Sequence, residues 1–184
     1  MTGAPGDADA APLFVPEREV FVADEQQDVE LDLNRYAALA SLVLTAERVR
    51  EDAELSVTFV GESTMTDLHE RFLGLDGPTD VLAFPMDEEL VESGRQPDQG
   101  GRGPGSPPEA SDAPVLVGDV IVCPLVASRQ AAERGQSVHD ELDLLVVHGV
   151  LHLLEYDHED DEEAAEMRRR EQAMLERFRR WREG

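Results

Sequence analysis

The stretch "PVLVGDVIVCP", residues 114–124, decides the fold. It is dense in β-branched residues and carries one charge, Asp119, so it reads as a strand buried on both faces. Moving toward the C-terminus, "LVASRQAAERG" has helical spacing with Gly135 as its stop. "SVHDELDLLVVHGVLHLL" (137–154) is a second helix, opened by a Ser137–Asp140 capping pattern. A last helix is expected from about residue 160 to 182. Moving the other way, "VLAFP" (81–85) is a short strand stopped by Pro85, and "STMTDLHERFL" (63–73) is a helix with Ser63 or Thr64 as N-cap. "ELSVTFV" (54–60) and "REVFVAD" (18–24) read as strands. Between them, "DLNRYAALASLVLTAERVR" (32–50) reads as a helix whose closing arginines suit its C-terminus.

Strands and helices therefore interleave, which predicts one α/β (α+β) domain with a mixed sheet of about four strands and about five helices. That domain is expected over residues 17–182. Residues 1–16 are small, Pro-rich and acidic, and are expected to form a disordered tail. The Gly/Pro-rich run at 87–113 has nothing to bury and is expected to be a flexible insertion.

The 184 residues hold 41 acidic and 16 basic side chains, a net charge of −25. Every basic residue is an arginine. Such acidity argues against a whole-surface grip on nucleic acid, although a local basic patch is compatible with it. One cysteine, Cys123, rules out an intramolecular disulfide and points to a reducing, cytoplasmic setting. There is no signal-peptide pattern, and no run approaches the ~18 apolar residues of a membrane span.

"HGVLHLLEYDH" (148–158) concentrates three of the five histidines in an apolar segment. On a helix His148 and His152 lie about 40° apart, one turn above the other, and can share one divalent ion. His158 would fall about 120° from His152 on a continuing helix, out of reach. A common site therefore requires the helix to break between Leu153 and Asp157, and to place the metal at its end. The metallopeptidase pattern HExxHxxGxxH has the same histidine spacing. Here Gly149 stands where that pattern has its glutamate base, and Glu155 where it has its turn glycine. Zn²⁺ is the expected ion for three imidazoles and an open position, with nickel as the alternative. His69 and His139 are expected at the surface.

The segment resembles the "HGxLHLxGYDH" signature of the bacterial YbeY endoribonucleases. "GLDGPTDVLAFPMDEE" (74–89) resembles that family's "GxDxPTDVLSFP" block, and "VGDVIVCP" (117–124) its "LGDIVIC" strand. The resemblance implies a metal-dependent, single-strand-specific endoribonuclease. It would act in 3′-end maturation of small-subunit (16S) rRNA and in ribosome quality control. The expected partners are single-stranded rRNA and the ribosome or small-subunit proteins, with no membrane and no DNA. By position His148, His152 and His158 match the family's metal ligands, and Thr79 and Asp80 match its block preceding the third strand. Leu73 stands where many members carry an arginine, so either Arg71 reaches the same place or that role is absent.

For phosphodiester hydrolysis, His148, Asp80 and Arg71 are the candidate catalytic residues. Asp80 has the ordinary alternative of capping a turn or strand end. Glu155 is either strained and solvent-facing or a carboxylate near the metal. The last helix carries Met167, Met174, Phe178 and Trp181 as its core stripe. Its arginines, Arg168, Arg169 and Arg180 among them, are interleaved with Glu166, Glu171 and Glu176 on an expected solvated face. Two other readings remain: a metal-dependent hydrolase of another substrate, and a ribosome-assembly scaffold with a structural metal.

Overall fold

A computed structural model describes residues 19–86, 115–156 and 160–183. The expected tail at 1–16, the expected insertion at 87–113 and His158 lie outside the described residues. The chain runs β1 (Val20–Glu25), α1 (Leu33–Ala46), β2 (Ala53–Val60), α2 (Glu62–Leu73), β3 (Val81–Pro85) and β4 (Val115–Val122). It closes with α3 (Pro124–Arg134), α4 (Val138–Leu153) and α5 (Asp161–Glu183). Four strands pair in the order β1-β2-β4-β3. β1 and β4 run parallel to β2, whereas β3 is antiparallel to β4. This is the mixed four-stranded sheet with five helices that the sequence predicts, in a single domain.

β4 is an inside strand, paired on both edges, with Val117, Val120 and Val122 fully buried. The burial on both faces expected from its apolar run holds for one face only: on the other, Leu116 is exposed and Asp119 and Ile121 are half-buried. α4 is the central helix, packing on β3 and β4 and against α1, α3 and α5. Ten of its residues are buried, Leu142, Val146, Val150 and Leu151 among them. No long hydrophobic helix results from this: among the described residues, no helix is long and apolar enough to cross a membrane.

Several helix ends follow the sequence rules and two do not. Ser137 caps α4 by accepting the Asp140 N–H at 3.1 Å, and Gly135 ends α3 in the left-handed region at φ 67°. α1 stops at Ala46, with Asp32 as its N-cap, so its arginines are not in the last turn. Arg48, just beyond, takes φ 57°, which ends the helix before the charges can join it. α2 begins at Glu62 with Gly61 as N-cap and no side-chain cap, so neither Ser63 nor Thr64 is the cap and the cap lies two residues ahead of Ser63.

Candidate metal centre

α4 presents Glu141, Leu145, His148 and His152 on one stripe, all within about 60° around its axis. α5 lies beside that stripe. The Nδ1–H of His148 donates to Glu171 Oε1 at 2.6 Å, and Glu171 is only 8% exposed. The two Nε2 atoms of His148 and His152 are 3.1 Å apart, the rings meeting edge to face with centroids 4.5 Å apart.

These atoms fit a shared divalent cation. Two imidazole nitrogens bound tetrahedrally at ~2.0–2.1 Å from one ion lie about 3.4 Å apart, close to the separation found here. Glu171 accepts a hydrogen bond from the Nδ1–H of His148, which leaves the Nε2 lone pair for the site. The donors are neutral imidazoles, the set that suits zinc or nickel. No third His, Cys, Asp or Glu completes a metal cluster among the described residues.

The chain breaks where a common site demands it. α4 ends at Leu153, and the N–H of Glu155 donates to His152 O at 3.0 Å while that of Tyr156 donates to Leu151 O at 3.1 Å. This pair of bonds is the Schellman arrangement, which requires a left-handed residue, and Glu155 supplies it with φ 64°. Glu155 is exposed, in keeping with the strained, solvent-facing reading. The exit is then clamped. Tyr156 Oη donates to Glu47 Oε2 at 2.8 Å, Arg170 Nη1 donates to the same carboxylate at 2.8 Å, and the Arg170 guanidinium lies 4.5 Å from the centre of the Tyr156 ring. Two residues further on comes His158.

Gly149 has a steric cause. A Cβ there would lie 2.5 Å from Val120 Cγ1 on β4. Helix and sheet approach so closely that no side chain fits, which removes the peptidase glutamate from consideration on physical grounds.

A cleft of about 350 Å³ opens beside His148, lined among others by Asp80, Arg134, Glu141, Arg168 and Glu171. Asp80 both lines this cleft and caps a strand. Its Oδ1 accepts from the Val81 N–H at 2.8 Å and the Thr79 hydroxyl at 3.1 Å, and its Oδ2 accepts from Gln130 Nε2 at 3.0 Å. Both readings of Asp80 are thus compatible with one geometry. Arg71 sits exposed in the last turn of α2, its guanidinium 5.5 Å from the Phe72 ring centre, and is not among the residues lining the cleft. His148 and Asp80 therefore share one cleft, with His152 beside His148, and Arg71 is not brought to that cleft. His69 and His139 are half-buried rather than at the surface. His69 Nδ1 lies 2.8 Å from Gly77 O, and His139 Nδ1 lies 3.3 Å from Tyr36 Oη.

Three residues escape a reading of the sequence. Glu171 is buried on the apolar stripe of α5 rather than on its solvated face, and that could have been found. On a helical wheel it falls at the edge of the stripe, about 20° from Phe178 and 40° from Met167, both buried. Glu141 is 1% exposed, holding Arg134 Nη1 at 2.5 Å with one oxygen and Gln136 Nε2 with the other. Gln130 had no signal, because its link to Asp80 spans elements 50 residues apart.

Comparison with known proteins agrees with this architecture. The family model described as Endoribonuclease YbeY matches residues 21–179. An Endoribonuclease YbeY of Thermobifida fusca is 48% identical over 146 residues, 79% of this chain and 84% of that protein. One from a Parafrankia species is 46% identical over 156 residues, 85% of this chain and 91% of that protein. The solution structure of TM1509 from Thermotoga maritima matches with a TM-score of 0.58 at 28% identity, covering 89% of this chain and 92% of that one. On the match of sequence and fold together, the chain belongs to the Endoribonuclease YbeY family.

Proposed function

We propose that the protein is a cytoplasmic, metal-dependent endoribonuclease that cleaves single-stranded RNA in the 3′-end maturation of small-subunit rRNA and in ribosome quality control. Its partners are then rRNA and the ribosome or small-subunit proteins. The observation that carries this reading is the His148–His152 pair, with Nε2 atoms 3.1 Å apart, opening on a cleft in a chain of this family. In this reading His148, His152 and His158 hold the ion, with Zn²⁺ preferred and nickel the alternative. When bound, such an ion lowers the pKa of a coordinated water to about 7 and polarises a phosphoryl oxygen.

The chain's own residues do the rest. Glu171 fixes the tautomer and orientation of His148 through the 2.6 Å bond. Asp80, held by three donors, presents a carboxylate of fixed direction to the cleft, able to orient an attacking water. Arg71, out on α2, acts in this reading on RNA away from the scissile bond. The peptide-hydrolase alternative lacks both a glutamate base and the room for one at Gly149.

The test is cleavage of a single-stranded rRNA fragment by purified protein, with and without chelator and with His148→Ala. Wild type should cut, and both perturbations should abolish cutting. Undiminished cleavage by His148→Ala would overturn the proposal.

A further inference from the structure

The cleft beside His148 is lined by charges of both signs. Three carboxylates line it, Asp80, Glu141 and Glu171, and two guanidiniums, Arg134 and Arg168. Elsewhere some of the described arginines are paired with acids and others, Arg177 and Arg179 among them, are not. Arg169 pairs with Glu166, Arg170 with Glu47 and Glu166, Arg35 with Asp143 and Arg129 with Glu62. Arg168 projects exposed from α5 one turn before Glu171, and no carboxylate among the described residues pairs with it.

Arg134 is paired, but in an unequal way. The Glu141 side chain is 1% exposed and that of Arg134 is 54% exposed. Both Glu141 oxygens are used, one by Arg134 and one by Gln136. A guanidinium has five N–H donors, and this carboxylate engages one nitrogen of it, leaving the others for a further partner. Burying a carboxylate is costly and adds little stability that an apolar side chain would not. Here it sets the orientation of an exposed cation at the rim of the cleft.

Resting on the endoribonuclease reading, we propose that Arg134 and Arg168 grip phosphates of single-stranded RNA in the His148 cleft, with Glu141 as the positioning residue that aims Arg134. Glu141 stands seven residues before His148 on α4, about 10 Å along the helix. Arg134 therefore bears on a phosphate flanking the one that is cut. Arg168, a turn from Glu171, bears on the chain closer to the metal ligands. The pair supplies local cations for a polyanion in a protein of net charge −25.

The experiment is fluorescence anisotropy of a nuclease-resistant, 2′-O-methylated single-stranded oligonucleotide across a salt series, with full-length zinc-loaded protein, alongside cleavage kinetics on unmodified RNA. Arg134→Gln and Arg168→Gln, both at exposed positions, should each lower the slope of log K against log salt by about 0.7 and weaken binding about tenfold. Arg134→Gln should raise KM and leave kcat unchanged. Slopes that match wild type in both variants would overturn the phosphate grip.

Glu141→Gln separates aiming from charge. It removes a negative charge from the cleft, so a residue acting through charge alone would bind RNA tighter when changed. The positioning role requires weaker binding, and requires that the weakening vanish when Arg134→Gln is already present. Tighter binding by Glu141→Gln would overturn that role. The two proposals fail separately. Cleavage by wild type with unaltered slopes removes the arginine grip alone, and altered slopes without cleavage by wild type remove the nuclease reading alone.

Discussion

His148 Nδ1 and Glu171 Oε1 lie 2.6 Å apart, joining α4 to α5 through a carboxylate that is almost out of solvent. A charge-assisted bond of this kind sets the ring's tautomer and raises the basicity of the opposite nitrogen. Glu171→Gln should keep the shape but lower zinc affinity about tenfold, and Glu171→Ala should lower it by up to about a hundredfold. Competition with a chromophoric chelator reads this directly. Affinity equal to wild type in both variants would show that Glu171 serves packing only.

Gly149 sits on Val120, with 2.5 Å available where a Cβ would stand. Gly149→Ala must push α4 off β4 and should cost about 1–3 kcal/mol in urea unfolding. Gly149→Glu, which restores the metallopeptidase pattern, should be worse and should yield no peptidase activity. A stable Gly149→Glu protein would mean that helix and sheet separate more easily than their packing indicates.

Glu155 holds φ 64° at the end of α4, exposed. A non-glycine residue there costs roughly 1 kcal/mol. Glu155→Gly should therefore raise Tm by about 2–4 °C without loss of cleavage. A collapse of cleavage would instead give the carboxylate a part in the metal site.

Tyr36 is fully buried under α4, and burial, reinforced by the Asp143 carboxylate, pushes its phenol well above the ordinary value. The raised folded-state pKa means its contribution is whole below pH about 10, the unfolded value, and is lost as pH climbs from there. Unfolding free energy measured from pH 9 upward should fall in wild type and fall less steeply in Tyr36→Phe. Identical alkaline limbs would place the sensitivity elsewhere.

The strands were legible because β4 is so apolar that it fits only an inside position, and α4 because its cap, length and leucines agree. The candidate metal centre was legible in part. Two histidines a turn apart and a helix that must end after Leu153 are local facts, and the Schellman turn at Glu155 and Tyr156 meets that demand. The partners were harder. Glu171 looked solvated because its neighbours in sequence are arginines, although its place on the wheel is at the edge of the stripe, near Phe178 and Met167. Glu141 and Arg134 looked like ordinary helix charges, since nothing local shows that one is buried and the other held at a cleft. Gln130 reaches Asp80 across 50 residues, a distance no short pattern spans. Likewise the end of α1 before Arg48 depends on a backbone turn that the arginines themselves did not signal.

The most direct measurement is anomalous diffraction at the zinc edge from crystals grown with zinc. The account predicts one peak per chain within about 2.0–2.1 Å of the facing ring nitrogens of His148 and His152, with the His158 imidazole as third ligand and solvent in the remaining position. A peak ligated elsewhere, or none between these rings, would contradict it.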